Sequence, residues 1–257
     1  MNQSPTSRPT SPQLGACRWR SAGLITLAAA LALWHLGCNV VNSGGPSGSG
    51  RVITDTRTVS RFSAIDLRGV GNAIVTLGGT EALTVEAEDN LLPSITTTVS
   101  NDTLVLELKA GRPTKPIVYR VTARELTALT TSGAGDIEAN GLTAARLRTS
   151  QNGAGDIRLG QLNAQELESS LSGAGSLDAS GTVGTLTLTM AGAGKLNGRE
   201  LAVRDARFTI TGAGDAVVLV SDNLRAQLTG AGSVSYIGNP RVESNVTGVG
   251  SVRRIES

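Results

Sequence analysis

A short glycine motif, Gly-Ala-Gly followed by Asp, Ser or Lys, dominates the sequence and returns at a nearly constant interval. Successive copies start 20, 20, 19, 20, 18 and 18 residues apart, at Gly133, Gly153, Gly173, Gly192, Gly212, Gly230 and Gly248, where Val replaces Ala. A degenerate copy stands at Gly69-Val70-Gly71-Asn72. A unit of this length cannot bury an apolar face alone, so the units must stack on one another.

The residues before each motif alternate between apolar and polar side chains. Before Gly192 the apolar set is Leu186, Leu188 and Met190, and Thr189 has the opposite phase. This period of two predicts a strand with one buried face, and a shorter strand follows most motifs. No unit contains a convincing helix. The sequence therefore predicts an all-β chain, a β-solenoid whose coils of about 20 residues stack about 4.8 Å apart. Aromatic residues make up only 2% of the chain, which suits a narrow core.

The two glycines of each motif have two interpretations. They mark a tight corner that needs a positive φ or a close backbone approach, or they form a groove that admits a ligand. We favour the corner.

The region before the repeats is less regular. Its pattern predicts strands at 52–59, 63–77, 82–88, 95–99 and 103–109, with a turn at Asn101-Asp102. We interpret these strands as about three diverged coils that continue into the repeats, so that residues 51–257 form one domain.

The first 37 residues differ from the rest. They hold both Trp, the only His, three Arg and no acidic residue, and residues 22–34 read AGLITLAAALALW. This composition predicts a signal peptide over 1–37, followed by a flexible Gly/Ser linker over 38–50. Leu36-Gly37-Cys38 resembles the lipobox of bacterial lipoproteins, with His35 at a position where the pattern prefers an aliphatic residue. The resemblance implies lipidation of Cys38 and a membrane partner reached through the lipid, and Asn39 implies the outer membrane of a Gram-negative cell. The alternatives are an ordinary secretory signal and a short N-terminal anchor.

Removal of the leader leaves no His, no Trp, at most one Cys and a net charge of −1. These absences exclude His-based triads, Cys–His nucleophiles, His/Cys zinc sites and disulfides from the mature chain. A nucleic-acid partner is also disfavoured, because such proteins usually have a basic surplus and stacking aromatics. We expect no cofactor.

Two outward columns are candidates for a ligand face. The first is a ladder of uncharged polar residues three before each motif, at Thr130, Ser150, Ser170, Thr189 and Thr209, continued by Gln227 and Asn245. The second follows the motif and contains Asp136, Asp156 and Asp215. Stacked carboxylates raise a pKa or hold a cation. However, Lys195 and several Ser interrupt the column, and its spacing differs from the calcium-binding nonapeptide pattern, so we expect no metal.

A longer run of features resembles a known family. Phe62-Ser-Ala-Ile-Asp-Leu leads into Gly69-Val70-Gly71, a Leu-Thr-Val-Glu-Ala-Glu-Asp-Asn-Leu-Leu run begins at Leu83, and Leu126-Thr-Ala-Leu-Thr-Thr precedes the first Gly-Ala-Gly. Over about residues 55–250 this pattern resembles the head GIN domain, the head of autotransporter adhesins. The resemblance implies a solenoid-like β fold, and it supplies no established catalytic residues to transfer.

Three functions are compatible with these patterns. The first is a non-enzymatic cell-envelope lipoprotein for adhesion, with a glycan or a surface protein as partner. The second is a polysaccharide-acting enzyme that uses outward carboxylates such as Asp136 and Asp156. The third is a purely structural envelope protein.

Overall fold

A computed structural model describes residues 45–256, and these residues form a β-solenoid. Seventeen strands in this part of the chain join into one continuous sheet, with a single 3-10 turn at Leu92–Ser94. The prediction of an all-β solenoid is confirmed. The predicted signal peptide, Cys38 and the first part of the predicted linker lie outside the described residues.

The strands, in chain order, are β1 (Val52–Arg57), β2 (Ala64–Gly69), β3 (Asn72–Leu77), β4 (Ala82–Glu88), β5 (Ile95–Ser100), β6 (Thr103–Leu108), β7 (Val118–Ala123), β8 (Ala128–Gly133), β9 (Asp136–Asn140), β10 (Thr143–Gly153), β11 (Ile157–Gly173), β12 (Ser176–Gly192), β13 (Lys195–Gly212), β14 (Asp215–Gly230), β15 (Ser233–Ile237), β16 (Arg241–Gly248) and β17 (Ser251–Arg254).

Each coil pairs in parallel with the next, and the register equals the spacing of the motif. Leu167 of β11 faces Leu186 of β12, and Leu186 faces Ala206 of β13. The positions predicted to be apolar fill the interior, where the side chains of Leu188 and Phe208 are completely buried. The long strands turn a second corner at irregularities such as the one between Leu159 and Leu162. Alternation along the strand thus sets the core, and the repeat length sets the register.

The glycine motif forms the first corner of every coil. The leading glycine of each copy has a positive φ, +148° at Gly153 and +139° at Gly173. A Cβ on Gly173 would lie 2.2 Å from the carbonyl oxygen of Gly153 in the neighbouring coil. The backbone of Ala174 donates a hydrogen bond to that same oxygen over 3.0 Å. Close approach of neighbouring corners therefore accounts for the glycines, as the corner interpretation expects.

The N-terminal coils do not stack in the order of the chain. Gly69 and Gly71 split the expected strand at 63–77 into β2 and β3, and Gly69 pairs with Gly133, so the degenerate motif builds a true coil. That coil lies between the one made by β6 and β7 and the one made by β8 and β9. These diverged coils are continuous with the repeats, but they do not stack in chain order.

Two chain reversals cause this rearrangement. A hairpin turn at Asn101 and Asp102, both with φ near +50° to +60°, pairs β5 with β6 in antiparallel fashion. β4 runs antiparallel to both β7 and β1. These antiparallel strands cover one end of the solenoid and shield its backbone from edge-to-edge pairing. We call this end the capped end, and the end formed by β16 and β17 the open end.

Residues 45–50, the last part of the predicted linker, lie against the capped end. The amide of Gly48 donates to the carbonyl of Arg112 over 2.9 Å, and the amide of Gly50 donates to the Glu88 carboxylate over 2.7 Å. Glu88 is only 1% exposed and also accepts hydrogen bonds from the backbone and hydroxyl of Thr114. Glu88 therefore joins this segment to the body of the domain.

Candidate ligand face

The structure brings the predicted polar ladder into one column. Thr130 pairs with Ser150, Ser150 with Ser170, Ser170 with Thr189, Thr189 with Thr209, Thr209 with Gln227, and Gln227 with Asn245. Thr130 and Ser150 are half-buried, and the others are exposed. Each member is a direct register neighbour of the next, so the polar groups repeat about every 4.8 Å along the axis.

A second polar column runs beside the ladder, two residues further along each strand. Its polar members are Ser132, Asn152, Ser172, Thr211, Thr229 and Thr247, and Ala191 interrupts it. Residues two apart on a strand point to the same side of the sheet. The two columns together make a strip of hydroxyl and amide groups that Ala191 interrupts and that carries no formal charge, which is suited to hydrogen bonding a neutral polar partner.

The predicted Asp column lies apart from the ladder, beyond the glycine corner. Asp136 begins β9, whereas Thr130 belongs to β8, and these strands pair with different neighbours. One oxygen of Asp136 accepts the backbone N–H of Asp156 over 2.9 Å, and one oxygen of Asp156 accepts the backbone N–H of Ser176 over 2.9 Å. Each of these aspartates therefore caps the corner of the next coil.

Arg158 forms ion pairs with the same two carboxylates. Its guanidinium lies 3.3 Å from Asp136 and 2.9 Å from Asp156. Burial lowers the pKa of Arg158, but the hydrogen bond and charge of Asp136, together with the charge of Asp156, raise it above its ordinary value. Asp215 receives a hydrogen bond from the Ser233 hydroxyl. The predicted carboxylates are therefore engaged in holding coils together.

Charged residues at five and seven positions before the motif form two further columns, which alignment on the uncharged ladder does not reveal. In the first half of the solenoid they pair across coils, with Arg146 to Glu166 at 2.6 Å and Arg148 to Glu168 at 2.7 Å. In the second half a concavity of about 380 Å³ is lined by Arg207, Arg225, Arg241 and their neighbours. Extending the repeat alignment to these two positions would have found the columns and their register partners, but only the structure shows which of these charges form ion pairs.

Two absences apply to residues 45–256. Within this range no group of three or more His, Cys, Asp or Glu side chains is placed to hold a metal ion. The same residues contain no helix with the length and apolar character needed to cross a bilayer.

These features define a parallel β-solenoid domain with a repetitive polar face. Residues 61–240 match the family model described as "Putative auto-transporter adhesin, head GIN domain", and the chain belongs to that family. The resemblance inferred from the sequence is thus confirmed, and it indicates an adhesion-like role at the cell surface or envelope. A search of curated proteins finds no match.

Solved structures share this fold. A putative adhesin from Bacteroides fragilis NCTC 9343 is 27% identical, with a TM-score of 0.76 over 82% of this chain and all of the other. A putative adhesin from Parabacteroides distasonis ATCC 8503 has 22% identity and a TM-score of 0.68 over 82% of this chain and all of that one. A putative lipid binding protein from the same strain has 21% identity and a TM-score of 0.63, over 81% of this chain and 98% of the other. The latter two show the fold alone.

Proposed function

We propose that this protein is a non-enzymatic, lipid-anchored envelope protein that binds a glycan or a surface protein through the polar ladder and the column beside it. The observation that carries the proposal is the unbroken register of seven uncharged polar side chains from Thr130 to Asn245. Individual exposed hydroxyls are ordinary on strands. A column with a fixed repeat, however, offers a periodic partner many simultaneous hydrogen bonds.

The engaged carboxylates support the non-enzymatic part of the proposal. A glycosidase needs a carboxylate pair that flanks the scissile bond and is free to exchange protons with substrate. Asp136 and Asp156 instead cap the neighbouring coils and share Arg158. The family relationship to adhesin heads points the same way.

The lipid anchor would be Cys38, after removal of residues 1–37, in the outer membrane. The chain enters the described domain through residues 45–50 at the capped end, while β16 and β17 form the opposite end. An anchor upstream would thus hold the capped end toward the membrane and leave the ladder free along the side. Incorporation of labelled fatty acid tests this part, and a Cys38→Ala variant that still takes up the label would refute it.

The ladder itself is tested with a binding assay on whole cells and on a glycan array. We expect Thr189→Val and Thr209→Val together to weaken binding, because both remove a hydroxyl while retaining a β-branched side chain. Thr98→Val is the matched control, since Thr98 is exposed on β5 in the antiparallel cap. Equal binding by the double variant and the control would refute the ladder as the contact surface and would favour a purely structural role.

A further inference from the structure

The second half of the solenoid places like charges next to each other. Arg207 and Arg225 are direct register partners on β13 and β14. Like charges at adjacent positions in a sheet destabilise each other unless a counter-charge compensates them. Arg225 has such a partner, because its guanidinium lies 2.6 Å from Glu243. Arg207 forms no ion pair within residues 45–256.

A further arginine lies two residues earlier in the repeat, on β16. Arg241 pairs in register with the uncharged Asn223, and it forms no ion pair in the described part of the chain. The nearby carboxylate of Asp205 already accepts hydrogen bonds from Asn223 over 2.6 Å and from Arg204 over 2.9 Å. Two guanidinium groups therefore line one concavity of about 380 Å³ without a committed counter-charge.

The carboxylates at this concavity are held in their charged form. The hydrogen bond and charge of Arg225, with a smaller contribution from Arg241, lower the pKa of Glu243 despite some desolvation. Hydrogen bonds from Asn223 and Arg204 lower the pKa of Asp205. Both acids are thus ionised near neutral pH and already have partners, so the surplus positive charge of Arg207 and Arg241 is left for an external anion.

The first half of the same two columns provides the contrast. There each arginine meets a glutamate in the neighbouring coil, as in Arg146–Glu166 and Arg148–Glu168. The fold itself therefore does not require unbalanced arginines at these positions. Guanidinium groups bind carboxylates and phosphates with paired hydrogen bonds, and two such groups around a concavity make an anion site.

The concavity also adjoins the polar ladder. The ladder residues Thr209, Gln227 and Asn245 come two residues after Arg207, Arg225 and Glu243 on the same strands. They therefore lie on the same side of the sheet, about 7 Å away. The geometry points to a subsite for the acid group of an anionic polysaccharide, in which Arg207 and Arg241 bind a uronate carboxylate and the ladder binds the sugar hydroxyls. This inference rests on the proposed binding role of the ladder and names the class of its ligand.

The test measures binding of the whole protein to immobilised polygalacturonate, dextran and polyglutamate. Polygalacturonate presents carboxylates and hydroxyls, dextran presents hydroxyls alone, and polyglutamate presents carboxylates on a peptide. We expect the tightest binding to polygalacturonate. We expect Arg207→Gln to raise the Kd for polygalacturonate about tenfold, equivalent to about 1.4 kcal/mol of binding free energy. Arg148→Gln is the matched control, because it occupies the same column but removes a charge that Glu168 already compensates.

Four other results would contradict the inference. Failure to bind polygalacturonate, or an equal loss in Arg207→Gln and Arg148→Gln, would refute the anion subsite. Binding of polyglutamate as tight as that of polygalacturonate would reduce the site to general charge attraction and refute the glycan class. If Arg207→Gln has no effect while Thr189→Val with Thr209→Val weakens binding, the anion subsite is wrong and the ladder role stands. Normal folding of each variant is checked by its circular dichroism spectrum.

Discussion

The corner glycines allow a quantitative test of how the coils stack. We consider Gly173→Ala, in which the added methyl group has two consequences. The φ of +139° at Gly173 belongs to a region that other residues rarely adopt, and holding alanine there costs about 1–3 kcal/mol. The new Cβ would also lie 2.2 Å from the carbonyl oxygen of Gly153, so the two corners must separate.

Separation of the corners weakens a hydrogen bond between the coils. Ala174 donates to the Gly153 oxygen over 3.0 Å, and loss of one such bond costs about 0.5–1.5 kcal/mol. The combined loss is about 1.5–4.5 kcal/mol. For a domain of this size it lowers Tm by roughly 3–18 °C.

Two matched variants separate these contributions. Gly141→Ala tests backbone conformation alone, because its φ is +69° and a Cβ there would meet nothing within 4 Å. We expect it to lower the free energy of unfolding by about 1–2 kcal/mol. Gly155→Ala tests close contact alone, because Gly155 does not have a positive φ but its Cβ would lie 2.0 Å from the carbonyl oxygen of Gly135. Thermal unfolding followed by circular dichroism gives the values. If Gly173→Ala is no less stable than Gly141→Ala, close coil approach is not what requires the glycine.

Three other perturbations test the cap and the core. The pKa of Glu88 is lowered from 4.5 to about 2, chiefly by the hydrogen bond from the Thr114 hydroxyl and then by those from backbone amides. The contribution of Glu88 to stability is therefore complete above about pH 4.5 and is lost as the pH falls toward 2. Urea unfolding at several pH values should show this dependence, and Glu88→Gln should reduce it; an unchanged profile would contradict the assignment. The Thr149 hydroxyl donates a hydrogen bond to the buried Ser169 hydroxyl over 2.8 Å, and Thr149→Val removes this donor. The free energy of unfolding should fall by about 1–3 kcal/mol. Adding Ser169→Ala should recover part of this loss, which a double-mutant cycle measures. Phe208→Ala removes a fully buried ring and should cost about 3–5 kcal/mol by urea unfolding, and a loss below about 1 kcal/mol would show that Phe208 is not part of a close-packed core.

The repeats were predictable because two periods in the sequence agree. The alternation of two identifies which residues of β12 and β13 are buried, and the motif spacing gives their register directly. The order of the N-terminal coils was not predictable in this way. The alternation in Leu104 and Leu106 is the same whether β6 continues the stack or begins it from the far end. The hairpin at Asn101-Asp102 decides between these, and its effect depends on long-range pairing with β2.

The candidate site, too, was predictable from the sequence only in part. The ladder is visible in the sequence because uncharged polar residues recur at one position of the repeat. The positions of Arg207, Arg225 and Arg241 follow no such rule, since positive, negative and uncharged residues alternate irregularly there from coil to coil. Their meaning depends on which residue stands opposite in the next coil, such as Glu168 for Arg148 or Arg225 for Arg207. The motif spacing gives these register partners, but only the structure shows which of the charges form ion pairs.

Inward and outward positions of each coil are under different constraints, which explains why one face can carry both uncharged polar and charged side chains. The corner glycines and the apolar columns hold the coil in place, and both are fixed by contact with neighbouring coils. Outward positions have no such constraint, so an arginine can be balanced by Glu168 in one coil and left unbalanced at Arg207 in another. A periodic partner that lies along the axis would therefore meet an uncharged ladder throughout and positive charge near one end only. Such a partner would bind in one direction and one position, which a uniform ladder could not impose.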